Sequence, residues 1–380
     1  MIQRSCFRNL VQSFRVGSAL TKFGGYNSYT SQAASSLLQV CEPSGYSDDE
    51  CAAMDWDNLG FGLIPTDYMY SMKCYDDQIF EQGQLSRYGK IELSPSAGGL
   101  FEGLKAYRKE NGQLVLFHPD QNAIRMQIGA KRMCMPYPST DQFIDAVKQT
   151  TLANKRWVPP PGKGSLYIRP LLMGSGPILG LAPAPECTFL VFASPVGNYF
   201  KEGLAPLNLY VESEFHRATH GGAGGVKTIS NYAPVLKALS RAKSRGFSDV
   251  LYLDAVNKKY VEEVSSCNIF VVNGNVISTP PTNGTILAGV TRESIIEIAC
   301  DYGYQVEERR IPVDELLDAE EVFCTGTAVV VAPVGSITYQ DRRIEFKTGA
   351  QSVCSELYST LVGIQTGLIK DKKGWTIEIQ

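Results

Sequence analysis

NIFVVNGNVIST, residues 268–279, sets two runs rich in β-branched and aromatic residues on either side of Asn273-Gly274. Asn-Gly tolerates the positive φ angles of a tight hairpin turn, so the stretch predicts two antiparallel strands. LKAYRKENGQLVLF, residues 104–117, repeats the arrangement about Asn111-Gly112. Around these hairpins, apolar residues recur at helical spacing over 120–135 and 139–156. The first of these opens with Pro119-Asp120, a helix-start signal. SLYIRPLLM (165–173), CTFLVFASPV (187–196) and SDVLYLD (248–254) read as strands. Residues 230–246 read as a helix ending at Gly246, and 289–304 as a helix with Thr291 as its candidate N-cap. Hairpins interleaved with helices, rather than strict strand–helix alternation, predict an α+β fold over a doubly wound parallel sheet.

The length, 380 residues, predicts two domains rather than one. The apolar share of 44% is enough for large cores and argues against global disorder. A net charge of -3 leaves no electrostatic case for nucleic acid as a partner. No apolar run approaches the roughly 20 residues needed to cross a bilayer, so no membrane role is expected. The cysteines form no CxxC pair, the histidines are few, and neither zinc-finger nor HExxH spacing occurs; no metal site is expected. The cysteines read as free thiols of a reducing compartment. Residues 1–41 carry Arg4, Arg8, Arg15 and Lys22, many serines and no acid, which is the composition of an organelle transit peptide. The early, spaced arginines favour the mitochondrion over the chloroplast. The expected organisation is a transit peptide (1–41), a flexible lead-in (42–55), a small N-terminal α/β domain (56–198), a linker (199–209) and a larger C-terminal domain (210–380).

GGAGGVKTISNY (221–232) is the segment most suggestive of chemistry. It is not a P-loop, because Val226 rather than glycine precedes Lys227. On composition alone, a glycine-rich loop with an ordinary surface lysine is the plainer reading. The chemical alternative is an amine that bonds an aldehyde cofactor. Pyridoxal phosphate (PLP) would then need phosphate donors, an acid facing its ring nitrogen, and a group near its phenolic oxygen. Val290-Thr291, opening a helix, and Gly326-Thr327, in a turn, could serve the phosphate, since helix N-termini favour anions. Both read equally well as plain capping and turn chemistry.

Seven segments, in order, decide between these readings: LFEGLKAYR (100–108), NAIRMQIGAKRMCMP (122–136), GSLYIRPLLMGSG (164–176), GGVKTISNY (224–232), YVEEVSSCNIF (260–270), GTILAGVTRE (284–293) and EVFCTGTA (321–328). From about Asp55 onward the chain resembles the plant branched-chain aminotransferases, of the fold-type IV PLP family. The resemblance implies two α/β domains with the active site between them. It makes Lys227 the catalytic lysine that holds PLP and moves the proton between Cα and C4′. Tyr232 is implied beside the phenolic oxygen, Glu263 opposite the ring nitrogen, and Leu287 on the ring face. Arg125, Val290, Thr291 and Thr327 are implied as phosphate contacts. Phe101, Gly103, Tyr167, Arg169, Tyr199 and Ala328 are implied near the substrate, with the arginine and tyrosines also serving the second carboxylate of glutamate. The expected reaction exchanges the amino groups of leucine, isoleucine or valine with glutamate, by ping-pong kinetics. The loop Leu179-Gly180-Leu181 resembles one that reaches a partner subunit, which implies a homodimer.

The chain departs from the plant pattern at Ser96-Ala97-Gly98-Gly99-Leu100, where six residues of the relatives, a tyrosine among them, are absent. All PLP positions lie outside this gap. The resemblance therefore leaves open a PLP-binding homologue of impaired turnover, or an enzyme of this fold with another amino-acid substrate. Cys324 stands without the CxxC partner of some relatives, so no thiol regulation is expected.

Overall fold

The computed structural model describes residues 51–75, 79–89, 98–176, 182–197 and 205–380. The segment 1–41, Tyr199, the loop Leu179-Gly180-Leu181 and Ser96-Ala97 lie outside the described residues. Those described belong to a compact unit spanning 49–380.

Both Asn-Gly hairpins are present. β4 (Leu104–Arg108) pairs antiparallel with β5 (Leu114–Phe117), and β11 (Asn268–Asn273) with β12 (Val276–Thr279). The turns are not the expected type with positive φ at both residues of Asn-Gly: only Gly112 and Gly274 take positive φ, 83° and 54°, and Asn273 pairs with Val276 within the ladder.

The first sheet also holds β1 (Tyr68–Tyr75), β2 (Gln84–Arg87), β3 (Gly99–Phe101), β6 (Ser165–Ser175) and β7 (Glu186–Val196). It is completed by β17 (Thr376–Ile379). Its order is β17-β5-β4-β6-β7-β1-β2, with β3 on β6. The second sheet runs β10-β9-β8-β15-β14-β11-β12-β13, with β16 on β15. These strands are β8 (Leu207–Glu212), β9 (Asp249–Leu253), β10 (Val261–Val264), β13 (Gln305–Glu308), β14 (Glu321–Gly326), β15 (Val330–Tyr339) and β16 (Arg342–Glu345). Pairing is antiparallel except at β8–β9, β8–β15 and β12–β13. The fold is α+β.

The period of two explains the layers. In β5, Leu114 and Leu116 face a core shared with α1 (Pro119–Arg132) and α2 (Thr140–Ala153), through Ala123, Met126, Phe143 and Val147. Val115 and Phe117 face the other way, into a core that holds Phe270 and Phe323 of the second sheet. α4 (Val290–Asp301) and α6 (Val353–Thr366) close that inter-sheet core through Ile295, Ile298, Leu357 and Leu361. The second sheet's other face packs on α5 (Val313–Leu317). Residues of both sheets thus share one buried apolar core.

Two helix expectations need correction. The helix predicted over 230–246 is α3, Leu236–Ser244, preceded by a 3-10 turn at Ile229–Asn231. Pro234 is the physical reason, since it lacks an N–H and disfavours helical geometry in the residue before it. Gly246 does end the segment, at φ 87°. Thr291 is not the N-cap of α4: Gly289 holds that position, and Thr291 lies inside the first turn, buried. No helix among the described residues is long and apolar enough to cross a membrane.

Candidate active site

The loop between β8 and α3 carries Lys227, and its path is set by backbone contacts. Gly225 N–H donates to Gly284 O (2.8 Å), and the Asn231 amide donates to Ala223 O and Val226 O (2.6 and 2.8 Å). A Cβ on Gly224 would lie 2.4 Å from Ala218 Cβ and 2.5 Å from Thr285 O, so glycine is required there by close approach. From the first sheet, β3 clamps the lysine itself: Phe101 N–H donates to Lys227 O (3.1 Å), and the Thr228 hydroxyl to Gly99 O (2.9 Å). Lys227 Nζ then donates to the Tyr232 hydroxyl at 3.1 Å and stands 4.5 Å from the Phe101 ring centre.

Lys227 opens into a cavity of about 820 Å³. Glu263, 2% exposed, lines the same cavity. It accepts from Leu287 N–H (3.0 Å) and the Asn268 amide (3.4 Å), and Arg217 Nη1 approaches to 2.5 Å. Burial pushes its carboxyl up to about 7, with Arg217 and the Leu287 amide pulling the other way. A carboxyl so poised answers the arrival of a further positive charge by giving up its proton. Arg125 lies on the wall, held as a fork by Glu102: Nε to Oε1 at 2.8 Å and Nη2 to Oε2 at 2.7 Å, with Nη1 donating to Ala288 O at 3.0 Å. The first turn of α4 reaches the cavity at Val290 and Thr291, and its N-cap, Gly289, offers no side chain to the free N–H groups. Thr325, Gly326, Thr327 and Ala328 form the facing turn, where the buried Thr325 hydroxyl lacks a hydrogen-bond partner among the described residues. A helix N-terminus, an arginine and threonine hydroxyls lining one cavity suit an anion such as a phosphate.

Comparison with known proteins identifies this arrangement. Residues 99–337 match the family model described as amino-transferase class IV. The chain belongs to the class IV aminotransferases. It is 67% identical to "Branched-chain amino acid aminotransferase 1, mitochondrial" of Humulus lupulus, over all of both chains. It is 70% identical to "Branched-chain-amino-acid aminotransferase 2, chloroplastic" of Arabidopsis thaliana, over 92% of each chain. Among solved structures, it resembles the branched-chain amino acid aminotransferase from Escherichia coli. That match has a TM-score of 0.71 and 25% identity, and covers 83% of this chain and 99% of that one.

In this class IV aminotransferase the cavity brings together Arg125, Lys227, Tyr232, Glu263, Leu287, Val290, Thr291 and Thr327, and with them Phe101, Tyr167, Arg169 and Ala328. Arg169 lies over the Phe101 and Tyr167 rings, at 4.8 and 5.1 Å from their centres. Gly103 is not on the wall. It stands behind Tyr167, whose hydroxyl would be 2.0 Å from a Cβ at that position. Tyr199 is outside the described residues. Sequence reading missed Arg217, Glu102, Asn268 and Phe61. Glu102 did carry a signal, an acid set within an apolar run ahead of an arginine-bearing helix. Arg217 carried none, because only the folded loop takes it to Glu263.

Proposed function

We propose that this chain is a branched-chain amino acid aminotransferase. It exchanges the amino groups of leucine, isoleucine or valine with 2-oxoglutarate and glutamate, and it uses PLP. The observation that carries the reading is that one cavity is lined by both the Lys227–Tyr232 pair and a buried, raised Glu263. The residues fit PLP. Lys227 would hold the aldehyde carbon and Tyr232 the phenolic oxygen. Glu263 would face the ring nitrogen, and Arg125, Thr291, Thr327 and the start of α4 would hold the phosphate. When bound, PLP supplies an electron sink for the bond to the amino acid's α-proton. The protein supplies the rest. Lys227, freed by substrate, is in hydrogen-bond contact with Tyr232 and is placed to move that proton. Glu263, once ionised, keeps a positive charge at the ring nitrogen. Phe101 and Tyr167 offer apolar ring faces to a branched side chain. Arg169, over both rings, offers a cation for a second carboxylate, which accounts for acceptance of glutamate.

The same proposal includes a homodimer, a mitochondrial location with residues 1–41 as its address, and a division into small (56–198) and large (210–380) domains joined by 199–209. The substrate panel should include methionine, whose unbranched side chain is of similar volume to leucine. The test is an absorbance spectrum of the purified protein before and after leucine, with Lys227→Ala beside it. Conversion of the cofactor band by leucine, absent in Lys227→Ala, supports the reading. A band that ignores leucine, isoleucine and valine would defeat it, and would point to the shortened segment before β3 as the cause.

A further inference from the structure

Lys105 stands on β4 opposite Tyr167 of β6, so the two side chains rise from the same face of the first sheet. Tyr167 lines the cavity; Lys105 lies beside it and is only 8% exposed. Its ammonium donates to Ala328 O at 3.1 Å, and Ala328 is part of the turn that walls the cavity. Among the described residues no carboxylate comes within ion-pair distance of it. This differs from the buried arginines that do line the cavity: Arg125 is forked on Glu102, and Arg217 meets Glu263. An ammonium taken out of water against one neutral carbonyl carries an uncompensated charge. Burial lowers its pKa to about 8, which leaves it mostly charged near neutrality.

We propose that Lys105 is a positioning residue for the substrate's carboxylate, acting through the Ala328 peptide. The inference rests on the aminotransferase reading, in which every substrate, amino acid or oxo acid, brings a carboxylate into this cavity. The ammonium fixes the turn on which this proposal places the carboxylate, and among the described residues no carboxylate offsets its charge there. Lys105 does not itself line the cavity, so it touches no reacting atom. Its charge favours an anion at the wall, whatever the side chain of that ligand.

The plainer alternative is a tether, in which Lys105 merely ties the first sheet to the turn. Charge and tether separate in a binding experiment on the cofactor-loaded protein. Titration calorimetry would measure 4-methylpentanoate and its uncharged counterpart 4-methylpentanamide against wild type, Lys105→Met, Lys105→Gln and Lys105→Arg. Glutamine retains a donor for Ala328 O but no charge; arginine retains both. The expected result is a roughly tenfold weaker Kd for the carboxylate, about 1.4 kcal/mol, in both neutral variants. The amide should change less than twofold, and arginine should recover most of the loss. Equal weakening of both ligands, or wild-type affinity for the carboxylate in Lys105→Gln, would overturn the proposal. Should Lys105→Met fail to fold, the glutamine and arginine variants decide alone. Because the calorimetry needs no turnover, it tests Lys105 separately from the leucine conversion that tests the activity.

Discussion

Glu263 makes stability depend on pH in a direction opposite to that of most carboxylates. Its carboxyl is ordinary in the unfolded chain, at 4.5, and is pushed up to about 7 by burial in the folded one. Between these values the native state binds more protons than the unfolded chain, so stability falls as pH rises. At about 1.4 kcal/mol per unit, the full effect is on the order of 3 kcal/mol, with the opposing pull of Arg217 already included. Glu263→Gln presents a neutral amide at all pH values and removes this dependence. The assay is denaturant unfolding of cofactor-free wild type and Glu263→Gln at pH 5 and pH 8, at one protein concentration, with the midpoint and slope read together. The two proteins should be of similar stability at pH 5, and wild type should be the weaker by about 3 kcal/mol at pH 8. Loading PLP, whose ring nitrogen offers the missing positive charge, should close the gap. A difference that stays flat from pH 5 to 8, or a wild type that gains on the variant as pH rises, would refute the reasoning about burial.

Three further outcomes are expected. Gly103→Ala sets a Cβ 2.0 Å from the Tyr167 hydroxyl, so the ring must move from its edge contact with Phe61; overpacking should cost about 1–3 kcal/mol and raise KM for leucine, read by unfolding and steady-state kinetics. Arg125→Lys cannot reproduce the fork on the fully buried Glu102; a stability loss of about 2 kcal/mol and weaker PLP retention on dialysis should follow. Tyr232→Phe removes the hydroxyl that Lys227 contacts at 3.1 Å, and single-turnover spectra should slow while the denaturation midpoint moves by no more than about 1 kcal/mol.

The parts of this fold that were legible in the sequence are those set by neighbours along the chain. Asn111-Gly112 and Asn273-Gly274 announce their hairpins because turn geometry is a property of two residues. Helical spacing located α1, α2 and α4, and Pro234 was visible but underweighted, so α3 began later than expected. β3 was not legible, since three residues of strand carry no period; its pairing with β6 and its grip on Lys227 exist only in the assembled protein. The site divides in the same way. Lys227, Glu263 and Arg125 could be named through resemblance, whereas the partners that fix them, Arg217 and Glu102, are chosen by packing. Lys105 is the clearest case: sequence reading did not single it out, and its bond to Ala328 O exists only in the folded protein.

The place of β17 governs how this chain can be assembled. Ile377 pairs with Leu116, so an outer strand of the first sheet is supplied by residues that follow the whole second sheet along the chain. Until they emerge, β5 presents an open edge of unpaired backbone groups, to which another chain could add. During synthesis the N-terminal sheet must wait, unfinished, while the entire lysine-bearing sheet is made. A release of the chain before β17 would leave Lys227, Glu263 and Arg125 in the sequence unaltered, yet leave a sticky seam along β5. β17 is thus a closing clasp, and changes that unseat it should show themselves first as aggregation of newly made protein, before any change in chemistry.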